Sequence, residues 1–276
     1  MTKSTQPTVA FIGAGNMARA IIGGLLDNGY PANLIWATGT RAEKLADLEA
    51  RGLNTGTNND AAVLAADILI LAVKPQIMKQ VCEPMRATVQ QRRPLIVSVA
   101  AGIGCDSLDQ WLGGSHAVVR CMPNTPSQVQ SGASGLYGNE RVSDEQKAQA
   151  ESLMSHVGLA LWVEREELLH AVTAVSGSGP AYYFLFMEAM MAAGEKLGLG
   201  ADTARRLTLQ TALGAARMAS ASELDPAELR RNVTSPKGTT EQAILSFQAA
   251  GLEKIVEEAM QACAQRSREL AEQLRD

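Results

Sequence analysis

VAFIGAGNMA, residues 9–18, is the stretch that decides the fold, because a short apolar run breaks into glycine and then into a helix. β-Branched and aromatic residues predict a buried strand over 9–12, and apolar spacing over 18–26 predicts a helix that packs back on it. Gly13 permits the tight turn, and Gly15 lets the backbone approach a pyrophosphate at the helix N-terminus. We therefore predict a dinucleotide site whose contacts in this stretch come from Gly13, Gly15, Asn16 and Met17.

Length and charge limit the class of protein. A chain of 276 residues is long enough for two domains, and its hydrophobic fraction of 46% and charged fraction of 20% are typical of a globular protein. The formal net charge of -4 gives no basic surface, so we expect neither a nucleic-acid nor a membrane partner.

Cysteine spacing and the apolar segments bear on location. The four cysteines lie far apart without a C-x-x-C pair, which predicts reduced thiols and no metal site. The first six residues lack the features of a signal peptide. The apolar run over 182–193 is too short to span a bilayer and contains Glu188, so it predicts a buried helix. A cytoplasmic protein is expected.

The alternation of strands and helices predicts a doubly wound sheet. Further strands are predicted over 34–37, 67–73, 95–99, 117–121 and 159–163. Helices are predicted over 41–51, 61–65, 76–90 and 143–155, the first opened by a capping box of Thr40 and Glu43. After residue 164 only helical periods are legible. The predicted fold class is α/β, with a Rossmann-type domain over 1–164 and an all-helical domain over 165–276 for substrate binding and dimerisation.

The segment after the second predicted strand bears on the choice of cofactor. An NAD-selective site usually carries an acidic residue there, whereas this chain has Thr38, Gly39, Thr40 and Arg41. Two hydroxyls and a guanidinium would bind a 2'-phosphate, so we predict NADPH, with NADH accepted less well. The alternative is that Thr40 only caps a helix and Arg41 is solvated.

Two further segments are expected at the ligand edge of the sheet, where parallel strands end. The strongest strand closes on Ala72, Val73, Lys74 and Pro75, whose backbone would reach the nicotinamide half of the cofactor. Lys74 could equally be a lysine at a helix start. Asn59 precedes the helix that leads into this strand, and its structural alternative is an N-cap.

Several motifs together resemble the pyrroline-5-carboxylate reductase family, whose members catalyse the last step of proline biosynthesis. The resemblance is carried by VSGSGPAY over 175–182 and VTSPKGTT over 233–240, and it extends, in the same order, over FIGAGNMA, LAVKPQ, VSVAAGI, RCMPNTP, QTALGAA and the C-terminal helix. It thus covers nearly the whole chain. One departure is Lys237, where the family usually has a second glycine.

The resemblance implies roles for the two motifs. Ser235 and the amides of Gly238 and Thr239 would hold the substrate carboxylate, and the Thr240 hydroxyl would reach the ring nitrogen. Ser178 and Gly179 would line the substrate site, and Ala100 and Ala101 would contact the cofactor. Structural alternatives are a helix start at Pro180 and simple capping by Ser235 and Thr240.

The chemistry implied is hydride transfer to a cyclic imine, which needs positioning more than a strong general acid. His116, His156 and His170 lie outside the motifs, and we expect them to be structural or surface residues. The apolar faces over 182–194 and 208–218 are wider than one helical stripe, so we expect at least a homodimer. In the family, dimers can assemble into a decamer.

Two other functions fit parts of the pattern. A hydroxyacid dehydrogenase of the 6-phosphogluconate type would use a lysine of the second domain, such as Lys196 or Lys237. A non-catalytic NADP-binding sensor would keep the glycine turn and lose the substrate motif. The intact motifs over 175–182 and 233–240 argue against both.

Overall fold

The computed structural model describes residues 6–275, and within them it has one eight-stranded sheet followed by helices. The first five residues, on which part of the signal-peptide prediction rests, and Asp276 lie outside the described range. The strand order is β3-β2-β1-β4-β5-β6-β7-β8. The strands are β1 Val9–Ile12, β2 Ile35–Thr38, β3 Asn54–Gly56, β4 Ile68–Leu71, β5 Leu95–Ser98, β6 Val118–Met122, β7 Gly132–Gly138 and β8 Gly158–Trp162.

The pairing is parallel except between β6 and β7, so the predicted Rossmann-type sheet is confirmed with one antiparallel step. Its helices are α1 Asn16–Asp27, α2 Ala46–Ala50, α3 Asn59–Ala65, α4 Met78–Cys82, α5 Arg86–Arg92, α6 Cys105–Trp111 and α7 Asp144–Ser155. Helix α7 begins with a capping box of Ser143 and Gln146.

The core lies on both faces of the sheet because successive strand residues point to opposite sides. Val9 and Phe11 belong to one apolar cluster, and Ala10 and Ile12 belong to the other. All four β1 residues are buried, as expected for a central parallel strand covered on both faces.

The remainder of the described chain is helical. These helices are α8 Leu168–Val172, α9 Gly179–Lys196, α10 Ala201–Ala221, α11 Pro226–Asn232, α12 Thr239–Ala249 and α13 Leu252–Gln273, with a π-helical turn over Thr173–Gly177. By backbone contacts, the described residues up to 178 and from 263 onward form one compact unit, and residues 179–262 form another. The domain boundary that the sequence predicts at residue 164 is a functional division, and it stays a prediction.

Two predicted helices differ from the structure. The helix over 41–51 is a 3-10 turn, Ala42–Leu45, followed by α2, and no side chain caps either segment. Arg41 occupies the N-cap position, so the capping box at Thr40 was wrong because that hydroxyl lies one residue too early. The helix over 76–90 is broken into short pieces at Pro84, which has no amide proton for an i→i−4 bond.

Candidate active site

Four parallel strands end at one level at the same edge of the sheet. Ile12 is in register with Thr38 on one side and with Leu71 on the other, and Leu71 is in register with Ser98. From β1 the chain adds β2 and β3 on one side and then crosses over to β4 on the other side, so this edge carries the switch point at which doubly wound sheets bind ligands. The predicted cofactor segments over 13–17, 38–41, 72–75 and 100–101 all follow these strand ends.

Gly13 lies where no side chain fits. Its φ of +94° is in the left-handed region, and an added Cβ would lie 2.7 Å from Cγ1 of Val73 and 3.1 Å from the Ala72 carbonyl oxygen. The neighbouring β4 strand is held by the Ala72 amide, which donates to the Ile12 carbonyl at 2.9 Å. The glycine turn therefore forms a backbone surface without side chains, which is what close approach of a pyrophosphate requires.

The N-terminus of α1 is suited to an anion. Gly15 is the N-cap, and no side chain accepts a hydrogen bond from the first turn. The first i→i−4 bond is the one that the Arg19 amide donates to the Gly15 carbonyl at 2.9 Å. The amides of Asn16 and Met17 precede this bond and have no carbonyl partner within the helix. They lie at the positive end of the helix dipole, which favours an anion.

The segment after β2 presents one hydroxyl and one cation. Thr38 is only 1% exposed, and its hydroxyl donates to the Phe11 carbonyl at 3.3 Å, so the prediction that this hydroxyl binds a 2'-phosphate needs correction. Thr40 and Arg41 are exposed, and within residues 6–275 neither side chain has a hydrogen-bond or ion-pair partner. The guanidinium of Arg41 is therefore available to an anion.

The other predicted cofactor residues lie in loops at the same strand ends. Lys74 is exposed and begins a 3-10 turn with Pro75 at its first position, so its helix-start alternative describes its backbone correctly. Ala100 is buried, with its amide donating to Oγ of Ser98 at 3.3 Å, whereas Ala101 is exposed. The N-cap of α3 is Asn58, and Asn59 is the first helical residue, which corrects the capping alternative by one position.

The loop over 233–240 leads into a second helix N-terminus that no side chain caps. Gly238 is the N-cap of α12, and the first i→i−4 bond runs from the Gln242 amide to the Gly238 carbonyl at 3.3 Å. The amides of Thr239 and Thr240 precede it. The Gly238 amide, predicted to bind a carboxylate, donates instead to the Ser235 carbonyl at 3.0 Å.

Three hydroxyls surround this N-terminus without internal partners. Ser235, Thr239 and Thr240 are exposed, and in the described part of the chain none of their hydroxyls makes a hydrogen bond. Neither Ser235 nor Thr240 caps α12, since the cap is a glycine without a side-chain bond. The capping alternative for both residues is therefore wrong, and their hydroxyls remain available for a ligand.

The motif over 175–182 starts α9 as its structural alternative predicts, because Gly179 is the first helical residue and Pro180 lies in the first turn. Ser178 follows the π-helical turn as its C-cap, and its amide donates to the Thr173 carbonyl at 2.8 Å. Pro180 cannot donate to the Ser176 carbonyl, and Nδ2 of Asn124 bonds that oxygen at 3.0 Å. Ser178 keeps a polar contact of its own, because its Oγ accepts from the Cys263 thiol at 3.3 Å.

Sequence reasoning missed two residues of the motif RCMPNTP. Oδ1 of Asn124 accepts from the Ala133 amide at 2.9 Å, so this buried amide group joins β7 to the π-helical turn. Arg120 donates to Oε1 of Glu166 at 2.9 Å, and the Cys105 amide donates to the same oxygen at 2.8 Å. The motif contained both residues, but its letters alone gave no partner for either.

Each of the three histidines has a hydrogen-bonding contact within the chain. His116 is buried and its Nε2 lies 3.1 Å from the Leu112 carbonyl, and Nδ1 of His170 lies 2.8 Å from Oγ of Ser267. Nδ1 of His156 lies 2.7 Å from the Ser152 carbonyl oxygen. Burial raises the pKa of the Cys82 and Cys121 thiols to about 12, so both are protonated at neutral pH and are not nucleophiles.

Residues 6–275 contain neither a candidate metal site nor a helix that could span a membrane. They contain no group of three His, Cys, Asp or Glu side chains arranged to hold a metal ion. Among the helices in this range, none has the length and apolar character needed to cross a membrane.

A glycine turn, an uncapped helix N-terminus and an exposed arginine at the switch point of a Rossmann-type sheet define a dinucleotide-binding protein. Comparison with known proteins gives the particular family. Residues 166–270 match the profile described as pyrroline-5-carboxylate reductase dimerisation, and residues 8–102 match one described as NADP oxidoreductase, coenzyme F420-dependent. The pyrroline-5-carboxylate reductase of Pseudomonas aeruginosa is 58% identical over 98% of this chain and 99% of its own length.

Other relatives agree. The pyrroline-5-carboxylate reductase of Vibrio alginolyticus is 46% identical over 95% of this chain and 97% of its own. The solved structure of a pyrroline-5-carboxylate reductase from Coxiella burnetii has a TM-score of 0.94 at 45% identity, covering 96% of this chain and 99% of that one. Pyrroline carboxylate reductase from Plasmodium falciparum, solved with NADP bound, has a TM-score of 0.84 at 26% identity, covering 96% and 98%. The chain belongs to the pyrroline-5-carboxylate reductase family.

Proposed function

We propose that this chain reduces 1-pyrroline-5-carboxylate to L-proline with NADPH. The single observation that carries the assignment is the identity of 58% to a pyrroline-5-carboxylate reductase over nearly the whole length of both chains. The two helix N-termini agree with it chemically. One follows a glycine turn suited to a pyrophosphate, and the other carries hydroxyls and amides suited to a small carboxylate.

The substrate carboxylate is held at the start of α12. The Ser235 hydroxyl donates to one carboxylate oxygen, and the Thr239 amide donates to the same group at the positive end of the helix. Gly238 contributes its backbone, since a Cβ there would lie 2.9 Å from the Ser235 carbonyl oxygen and distort the loop. Ser178 and Gly179 complete the substrate residues in this proposal.

The chain's own part in the chemistry is orientation and a hydrogen bond. When bound, NADPH supplies a hydride to the imine carbon of the substrate and leaves as NADP+. The ring nitrogen keeps the electron pair of the former C=N π bond and, when the imine arrives protonated, becomes the amine of proline. The Thr240 hydroxyl bonds this nitrogen and fixes the ring. No strong general acid is needed, because the nitrogen of the protonated imine already carries its proton.

The strand-edge geometry supports the cofactor residues of this proposal. The amides of Asn16 and Met17 bind the pyrophosphate, and Thr40 with Arg41 binds the 2'-phosphate. The segments over 72–75 and 100–101 lie at the ends of β4 and β5 and contact the nicotinamide half. NADH lacks the 2'-phosphate, so it binds less well.

Assembly and location are also part of the proposal. The chain contains the family's dimerisation region, and in α9 the side chains of Tyr183 and Leu185 are 69% and 67% exposed, which is high for large apolar groups. A second copy covers this face, and dimers assemble further into a decamer. Light scattering should show a dimer or larger, whereas a stable monomer at micromolar concentration would contradict it. The cytoplasm is the expected location, because all four cysteines are free thiols.

One assay separates this function from its rivals. Purified protein is mixed with NADPH and either 1-pyrroline-5-carboxylate or the keto form of a hydroxyacid, and absorbance of the reduced cofactor is followed. Oxidation with the imine alone, with L-proline as product, supports the proposal. Oxidation with the keto acid alone supports a hydroxyacid dehydrogenase, and binding of NADPH without oxidation supports a sensor.

A further inference from the structure

Arg19 in the second turn of α1 bonds three separate groups. Its Nε donates to the Ala14 carbonyl at 3.1 Å, and its Nη2 donates to the Lys44 carbonyl. Both terminal nitrogens also bond the Asp47 carboxylate, with 3.2 Å between Nη2 and Oδ1. A planar guanidinium with donors in fixed directions can hold three such acceptors at once, which a lysine ammonium on a flexible stem cannot do in the same geometry.

These bonds join the two parts of the predicted cofactor site. Ala14 lies between the two glycines of the pyrophosphate turn. Lys44 lies in the segment that presents Arg41, and its amide donates to the Arg41 carbonyl at 3.2 Å. A chain of hydrogen bonds therefore runs from the glycine turn through the Arg19 side chain to the backbone of Arg41.

The same side chain neutralises a carboxylate near the site. Asp47 lies six residues after Arg41, and the hydrogen bond from Arg19 is the main cause that lowers the pKa of Asp47. Asp47 is therefore ionised at neutral pH. Without Arg19, its negative charge would repel a 2'-phosphate more than a 2'-hydroxyl, because only the phosphate is charged.

We propose that Arg19 is a positioning residue that sets the preference for NADPH over NADH, by tying the Arg41 segment to the glycine turn and by neutralising Asp47. The inference rests on the proposed function, since it assumes that the 2'-phosphate binds at Arg41. It assigns no contact between Arg19 and the cofactor.

The test compares kcat/KM for the two cofactors in Arg19→Met. We expect the NADPH/NADH ratio to fall about fivefold, equivalent to about 1 kcal/mol of partly screened charge repulsion. The loss should lie in KM for NADPH, with kcat at saturating NADPH little changed. Arg19→Lys keeps the charge without the fork geometry and should retain more of the ratio. Arg92→Met is the matched control, because Arg92 makes a similar exposed ion pair with Asp67 at the opposite, N-terminal end of β4.

A second variant tests the charge repulsion from Asp47 separately. Adding Asp47→Asn to Arg19→Met should recover part of the lost ratio, since the repelling carboxylate is gone. An unchanged ratio in a folded Arg19→Met, equal losses for both cofactors, or no recovery in the double variant would overturn the inference. These failures leave the proposed function intact, whereas a wild-type protein that does not oxidise NADPH with the imine removes that function itself.

Discussion

The backbone amide of Lys237 donates to Oε2 of Glu241 at 2.7 Å, while Lys237 itself has a φ of 59°. The left-handed region is unfavourable for a residue with a Cβ and favours glycine. The bond to Glu241 closes the loop onto the first turn of α12 without using the Lys237 side chain. Lys237, which stands where the family usually has a glycine, therefore adopts the backbone conformation of a glycine at a conformational cost.

Lys237→Gly should accordingly stabilise the protein. We expect the free energy of unfolding to rise by about 1 kcal/mol, the cost of a left-handed backbone for an ordinary residue. Steady-state kinetics should be retained, because the backbone donor to Glu241 remains. The measurement is denaturant unfolding beside kinetics for the imine.

Arg93→Gly provides a control for the Lys237 substitution. Arg93 also has a left-handed backbone, with a φ of 51°, at the C-terminus of α5. It should show a similar gain in stability. If Lys237→Gly lost stability while Arg93→Gly gained it, the side chain of Lys237 would hold the loop in a way that its backbone geometry does not reveal.

Replacing Arg41 by Ala should weaken NADPH binding by roughly 1 to 3 kcal/mol, the range for a charged hydrogen-bonding group that loses its partner. NADH binding should barely change, because NADH carries no 2'-phosphate. Titration of cofactor fluorescence measures both affinities. Arg51→Ala is the control for loss of a cation, since Arg51 pairs with Asp27 at 3.7 Å. Equal weakening of both cofactors in Arg41→Ala would make Arg41 a structural residue.

Ser235→Ala should raise KM for the imine roughly tenfold and leave kcat nearly unchanged, because a carboxylate contact persists from ground state to transition state. Steady-state kinetics with varied imine measures this. Thr234→Ala is the neighbouring control, since its hydroxyl already donates to the Arg230 carbonyl at 2.6 Å. A normal KM in Ser235→Ala would place the carboxylate elsewhere.

Stability should fall as the pH is lowered from neutral, partly through His116. Burial lowers the pKa of His116, so in the window between this lowered pKa and the unfolded value of about 6.5 the unfolded chain binds the proton first. The contribution is fully present above about pH 6.5 and is lost below it. Thermal melts over this range should fall less steeply for His116→Gln. Identical slopes for both proteins would contradict the role of His116.

Apolar continuity made six strands predictable, but β3 and β7 escaped for physical reasons. β3 is a three-residue edge strand, Asn54–Gly56, without an apolar residue. β7 contains three glycines, which in a sequence indicate turns. Two of them are required by packing, since a Cβ on Gly132 would lie 2.2 Å from Oγ of Ser127 and one on Gly135 would lie 2.6 Å from Val172.

The candidate site likewise has parts that the sequence predicts and parts that it does not. The segments at Gly13 and Ala72 were predictable because parallel strands end at one edge of the sheet. The bonds of Asn124 to Ala133 and Ser176 join residues 9 and 52 positions away, so no local pattern reveals them. Likewise, the sequence predicts that the Thr38 hydroxyl can bind the cofactor, but in the folded sheet this hydroxyl donates to the Phe11 carbonyl.

The central claim is that the Thr240 hydroxyl bonds the ring nitrogen during hydride transfer, and kcat of Thr240→Ala tests it most directly. We expect a fall in kcat of about ten- to a hundredfold, the effect of one positioned hydrogen bond, with the thermal midpoint retained because Gly238 is the cap of α12. Thr240→Ser keeps the hydroxyl and should recover much of the rate. An unchanged kcat in fully folded Thr240→Ala would contradict the account.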